Sequence, residues 1–193
     1  MATYVLIHGS SSDSWYWHRV APALRRRGHD VVAPDLPSDD DSAGLSEYAD
    51  AVVDAIGDRR ELVVVAQSLG GFTAPLACSR VPVSLLVLVA AMVPVPGESP
   101  GDWFANTGWA QARRDQAERN GREADDDVDL MEDFFHDVPP EVVSEAFAKE
   151  AKRRNPIHRS ASHGLSIRGR MCGRSSCSAA TIVSFRPISC VES

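Results

Sequence analysis

Between residues 3 and 91 the chain is punctuated by near-continuous apolar runs: "TYVLIHG" (3–9), "DVVAPDLP" (30–37), "ELVVVAQ" (61–67) and "VSLLVLVAA" (83–91). A strand that is apolar at successive residues, not only at alternate ones, is buried on both faces. Between these runs lie stretches with helical spacing of apolar residues. The first covers 15–29, with Gly28 as its stop. The second covers 45–58, with Ser46 as its expected cap. The third covers 70–80, where Pro75 is expected to bend or break the helix. Strands that alternate with helices and are covered on both sides predict an α/β fold: a parallel sheet with helices on both faces.

Past Val93 the pattern changes. "PVPGESPGDWF" reads as a loop, and 109–120 as a polar, helix-favouring stretch. "DLMEDFFHDVPPEVVSEAFAKEAK" (129–152) reads as two short helices split at Pro139–Pro140. Residues 97–150 therefore form an expected helical insertion lying over the strand ends. Residues 1–150 then make one incomplete α/β domain, and 151–193 an irregular tail.

The totals narrow the function classes. A chain of 193 residues is long enough for one domain with a sizeable core. A net charge of -7 argues against nucleic acid as a partner. No apolar run approaches the ~18 residues of a membrane span. The four cysteines are too few for a disulfide framework, which points to a reducing, cytoplasmic setting. Residues 1–7 lack the basic and long apolar regions of a secretory signal.

Chemistry concentrates in "LVVVAQSLGGF" (62–72). Ala66 stands two residues before Ser68, and Gly70 two after it. At a tight strand-to-helix junction those positions bring two backbones together, so they demand small side chains. The serine is then forced to the tip of the turn with its hydroxyl exposed, beside the amide groups of a helix N-terminus. A serine that only capped the helix would not need small residues on both sides. "HGSSSDSWYW" (8–17), after the first strand, is a loop that can present the Ser10 N–H as an oxyanion donor beside that of Leu69. His8 reads as a brace for this loop.

These residues carry a resemblance. "VLIHGSSSDSWYWHRVAPALRRRGHDVVAPDLP", "VVVAQSLGGF" and "LLVLVAAMVPVPGES" resemble the α/β-hydrolase superfamily, in particular its branch of small plant-type esterases and hydroxynitrile lyases. The resemblance covers about residues 3–150, with Ala66 in place of the usual first glycine of the elbow. It implies a Ser–Asp–His triad in that chain order, a helical lid over an apolar acyl pocket, and neither cofactor nor metal. It makes Ser68 the nucleophile, Ser10 and Leu69 the backbone oxyanion donors, and a small ester the substrate. A lyase acting on C–C bonds is an alternative on the same scaffold. A non-catalytic binding protein is the alternative of another class.

The remaining triad members are missing where the resemblance places them. No β-rich run leading to an Asp follows residue 150, and 151–193 contain no Asp. His163 sits in "SHGLS" without a preceding strand, and Asp35 comes too early in the chain. Cys172 and Cys177 stand in the Ser/Arg-rich tail, where a metal site is not expected. Residues 156–193 hold five arginines and one acid, Glu192, against 26 acids and 15 basic residues in 1–155. Written back as codons and read two bases on, this tail can spell an apolar run, KFVLC, followed by an Asp-bearing turn, RDDRFFP. We therefore expect a slip of reading frame near residues 149–152, with the last strands of the sheet missing. A genuine basic tail without a packed core is the other reading.

Overall fold

The computed structural model describes residues 1–10, 12–40, 42–122, 131, 134–153 and 180–182. They fall into two compact units, Met1–Glu98 with Ile167–Ser193, and Ser99–Ser166.

The first unit is built on a parallel sheet of order β2-β1-β3-β4-β5. Its strands are β1 (Thr3–Ile7), β2 (Asp30–Val32), β3 (Leu62–Gln67), β4 (Val83–Val89) and β5 (Ala180–Ile182). Helices α1 (Val20–Arg26), α2 (Leu45–Ile56) and α3 (Gly70–Cys78) connect the first four strands. On one face Val5, Ile7, Leu62, Val64, Ala66 and Leu88 pack against Ala49, Val52 and Ile56 of α2 and Ala74, Ala77 and Cys78 of α3. On the other, Leu6 and Val31 pack against Trp17 and Ala21, with Leu24 of α1 alongside. This is the two-faced parallel sheet that the unbroken apolar runs require.

Several local expectations are corrected. The 15–29 helix is two pieces. A 3-10 turn over Ser14–Trp17 is capped by Asp13, which accepts the Trp15 N–H, and α1 follows it. Strand β2 stops at Val32, short of Pro34, a residue with no N–H to give a ladder. The cap of α2 is Gly44, whose N–H donates to Glu47 Oε2 at 2.8 Å; Ser46 instead accepts from Arg80. Helix α3 runs through Pro75 without a break. The proline forfeits one hydrogen bond, to Gly71, while Phe72, Ala74 and Ala77 around it are fully buried and hold the helix in place.

The sheet also extends beyond β4. Ala180–Ile182 pair in parallel with Leu86–Leu88, where the sequence led us to expect no tail strand. The outer edge of β4 offers free ladder groups, and "ATI" carries two β-branched residues suited to such an edge. The rest of the tail, with its expected out-of-frame character, lies outside the described residues.

The second unit is helical: α4 (Pro100–Asn106), α5 (Trp109–Arg119) and α6 (Pro140–Arg153). Helix α4 starts inside the stretch read as a loop. Ser99 caps it by accepting the Asp102 N–H at 3.1 Å, and Asp102 bonds back to Ser99, a capping box missed in the sequence. Trp103, Phe104 and Trp109 meet edge to face, with the Arg113 guanidinium 5.1 Å from the Trp109 ring centre. Among the described residues no helix is long and apolar enough to cross a membrane.

Candidate active site

Ser68 occupies, with Leu69, the two-residue reversal between β3 and α3. Its φ is 51°, in the left-handed region that costs a non-glycine residue roughly 1–2 kcal/mol. Three backbone contacts hold it there. The Ser68 N–H donates to Val89 O at 3.3 Å, continuing the β3–β4 ladder by one rung. The Ser68 carbonyl accepts from the Gly71 N–H at 3.0 Å and from the Met92 N–H at 2.9 Å. Ser68 makes no capping bond to α3, whose N-cap is Leu69.

Glycines from separate segments converge on this turn. A Cβ at Gly70 would lie 3.0 Å from His8 O and 3.1 Å from Ile7 O, so the start of α3 rests on the end of β1. A Cβ at Gly9 would lie 2.9 Å from the Ser68 Cβ and 2.5 Å from Gln67 Oε1, which sets the loop after β1 directly against the serine. A Cβ at Gly71 would lie 2.0 Å from Met92 O, a backbone atom that cannot swing aside. Ala66 is fully buried, as a junction between packed backbones requires.

Of the candidate residues, Ser68 and Leu69 are thus adjacent at the elbow, and Ser10 follows the Gly9 that abuts it. Ser10 is exposed, while Leu69 is buried. The first N–H groups of a helix have no acceptor within it, so those of Leu69 and Gly70 point outward from the start of α3. Gly71 and Phe72 close tight i→i−3 bonds to Ser68 and Leu69.

His8 is a brace. Its ring is buried; Nδ1–H donates to Gly9 O at 2.8 Å, and Nε2 accepts the Leu36 N–H at 3.2 Å. A nitrogen that accepts from an amide carries no proton, so this pattern requires the neutral imidazole. Asp35 adds a second tie: its Oδ1 accepts the Ser14 N–H at 2.7 Å. Both tie the loop after β1 to the segment after β2. Among the described residues the Ser68 hydroxyl has no hydrogen-bond partner, and no group of three His, Cys, Asp or Glu could hold a metal ion. His158, His163, Cys172 and Cys177 lie outside the described residues.

Sequence reasoning missed Gly9, Gly71 and the turn after β4. The Gly-Gly pair at 70–71 was the available signal for Gly71. Nothing local marks Ala90 or Met92.

A parallel sheet with a strained serine at the strand–helix elbow defines the class, and the comparison of sequences agrees. The chain belongs to the alpha/beta hydrolase family, which it matches over residues 4–180. It is similar to "Probable esterase PIR7A" of Oryza sativa subsp. indica, 38% identical over 112 residues, which are 51% of this chain and 42% of that protein. It is similar to "Methylesterase 9" of Arabidopsis thaliana at 34% identity, over 54% of this chain and 45% of that one. The chain thus spans less than half the length of these plant relatives. Among solved structures it resembles an extracellular alpha/beta-hydrolase from a Paenibacillus species, described as sharing structural and functional homology with Tobacco Salicylic Acid Binding Protein 2. That match has a TM-score of 0.59 at 27% identity, covering 78% of this chain and 66% of the other.

Proposed function

We propose that this chain carries the nucleophilic half of a serine carboxylesterase that acts on a small ester, most simply the methyl ester of a small organic acid. The observation that carries the reading is Ser68 held at a φ of 51° between β3 and α3. Such strain persists where a side chain must be presented for use. The similarity to plant esterases and a methylesterase favours ester hydrolysis over cleavage of a C–C bond.

In this reading Ser68 Oγ attacks the ester carbonyl carbon, and its proton passes to a histidine base. The carbonyl oxygen becomes an oxyanion, held by the N–H groups of Leu69 and Ser10. The intermediate collapses, the alcohol departs with the proton, and water then hydrolyses the acyl-enzyme by the same route. The base and its carboxylate belong to chain that the restored reading frame would supply after the lid.

The test is fluorophosphonate labelling, with short-chain p-nitrophenyl ester hydrolysis, on two forms: the 193-residue chain and one with the frame restored near codon 150. The restored form should label at Ser68 and turn over, and the 193-residue chain should do both far more slowly. If the restored form neither labels nor turns over, the esterase reading is wrong. If the two forms match, the base lies within the present chain and the frame account is wrong.

A further inference from the structure

The conformation of Ser68 is not maintained by its own segment alone, which supplies one of its three backbone bonds, from the Gly71 N–H. A left-handed serine at the end of a strand would relax toward an extended conformation unless its backbone groups were held from outside. Of the three bonds on the Ser68 backbone, two come from the exit of β4: Val89 O and the Met92 N–H. Met92 is 24 residues further along the chain, and it reaches Ser68 because β4 ends in a reversal of its own. Ala90 there has a φ of 44°, again left-handed and again not a glycine. The reversal locks into α3, since Met92 O occupies the space that any side chain at position 71 would need, and Ala91 Cβ lies 3.2 Å from the same point. Met92 is itself buried.

We infer that the Ala90–Met92 turn is the positioning element of the Ser68 elbow: its Met92 N–H holds the Ser68 carbonyl and so keeps the serine side chain at the tip of its turn. The residues involved bring no acid or base. They act through Ser68, and the inference rests on Ser68 being the nucleophile. Two strained turns at the ends of neighbouring strands hold each other, and neither is maintained alone.

Two variants and a control test this. Met92→Pro deletes the donor to Ser68. Ala90→Val puts a β-branched residue at a left-handed φ and removes no donor, so it carries the test if the proline variant does not fold. Ala77→Gly weakens buried α3 without touching the turn. Each is read by the NMR shifts of the Ser68 amide and Cβ, by melting temperature, and by the rate of fluorophosphonate labelling relative to the unaltered chain. Met92→Pro and Ala90→Val should move the Ser68 shifts and slow labelling by about tenfold or more, as misplacement of a reacting group does. Ala77→Gly should lower the melting temperature and leave both unchanged. Unmoved Ser68 shifts in a folded Met92→Pro or Ala90→Val variant overturn the inference, as does an equal loss of labelling in Ala77→Gly. If the unaltered chain and its frame-restored form both fail to label, the nucleophile assignment falls. The Ser68 shifts alone then decide the role of the turn.

Discussion

At Ser68 structure and chemistry oppose each other. A left-handed φ costs a serine roughly 1–2 kcal/mol, while glycine adopts it freely. Ser68→Gly should therefore raise stability by about 0.5–1 kcal/mol, after the extra chain entropy of glycine is subtracted, and eliminate labelling. Urea denaturation and a fluorophosphonate assay on one preparation measure both; a less stable Ser68→Gly chain would show that the turn is not strained. Gly71 presents the reverse case. An added methyl would lie 2.0 Å from Met92 O, so the backbone must move. Gly71→Ala should cost about 1–3 kcal/mol or more, the range for overpacking a tight site. Gly28→Ala, whose added methyl would meet nothing within 4 Å, offers an uncrowded comparison, strained only by the φ of 82° at that position.

Among the elements, β2 is short and tied at its start. Asp30 accepts from Arg59 at 2.7 Å and from its neighbouring Val31 N–H, and Arg59 also reaches the carbonyls of Ala55 and Ile56 at the end of α2. The Arg59 hydrogen bond leads in holding the Asp30 carboxyl below its usual range. A depressed folded pKa stabilises above the unfolded value, near 3.9, and that stability is lost as pH falls through the folded one. Both side chains are more than 40% exposed, so solvent screens the pair to roughly 0.2–1 kcal/mol. Asp30→Asn should lower stability by no more than that at pH 7. At a pH below the folded pKa the variant and the parent should unfold alike. A pH series of urea midpoints checks this, and a gap that persisted in acid would show that the charge is not the cause.

Across the whole molecule, the β4 edge of the sheet is only partly paired among the described residues. Strand β4 runs over seven residues, while β5 pairs with three of them, Leu86–Leu88. Val93 and Val95, just beyond β4, are more than half exposed. A partly paired apolar edge beside exposed valines is a site for edge-to-edge association. The 193-residue chain should therefore form aggregates at lower concentration, and melt less cooperatively, than the frame-restored form. Light scattering and calorimetry on the two forms compare them directly; equal solubility and equal cooperativity would show that β5 suffices to close the sheet.

The alternation of the first four strands with their helices, the two-faced burial of the sheet and the position of Ser68 could all be read from the sequence alone, whereas β5 could not. They depend on apolar periodicity and small residues within windows of about ten residues, and such signals are local. The split of the first helix, the short β2 and the intact α3 followed from competition between local propensity and packing. Asp13 capped one piece, Pro34 ended a ladder, and burial of Phe72 and Ala74 outweighed Pro75. What tertiary structure alone decided is how the serine is held. The Met92 donor, the left-handed Ala90, the space Gly71 leaves for a carbonyl and the neutral His8 bound to Leu36 each join segments separated by some 20 residues or more. Their cause is the approach of backbones in space, which leaves no repeating pattern along the chain.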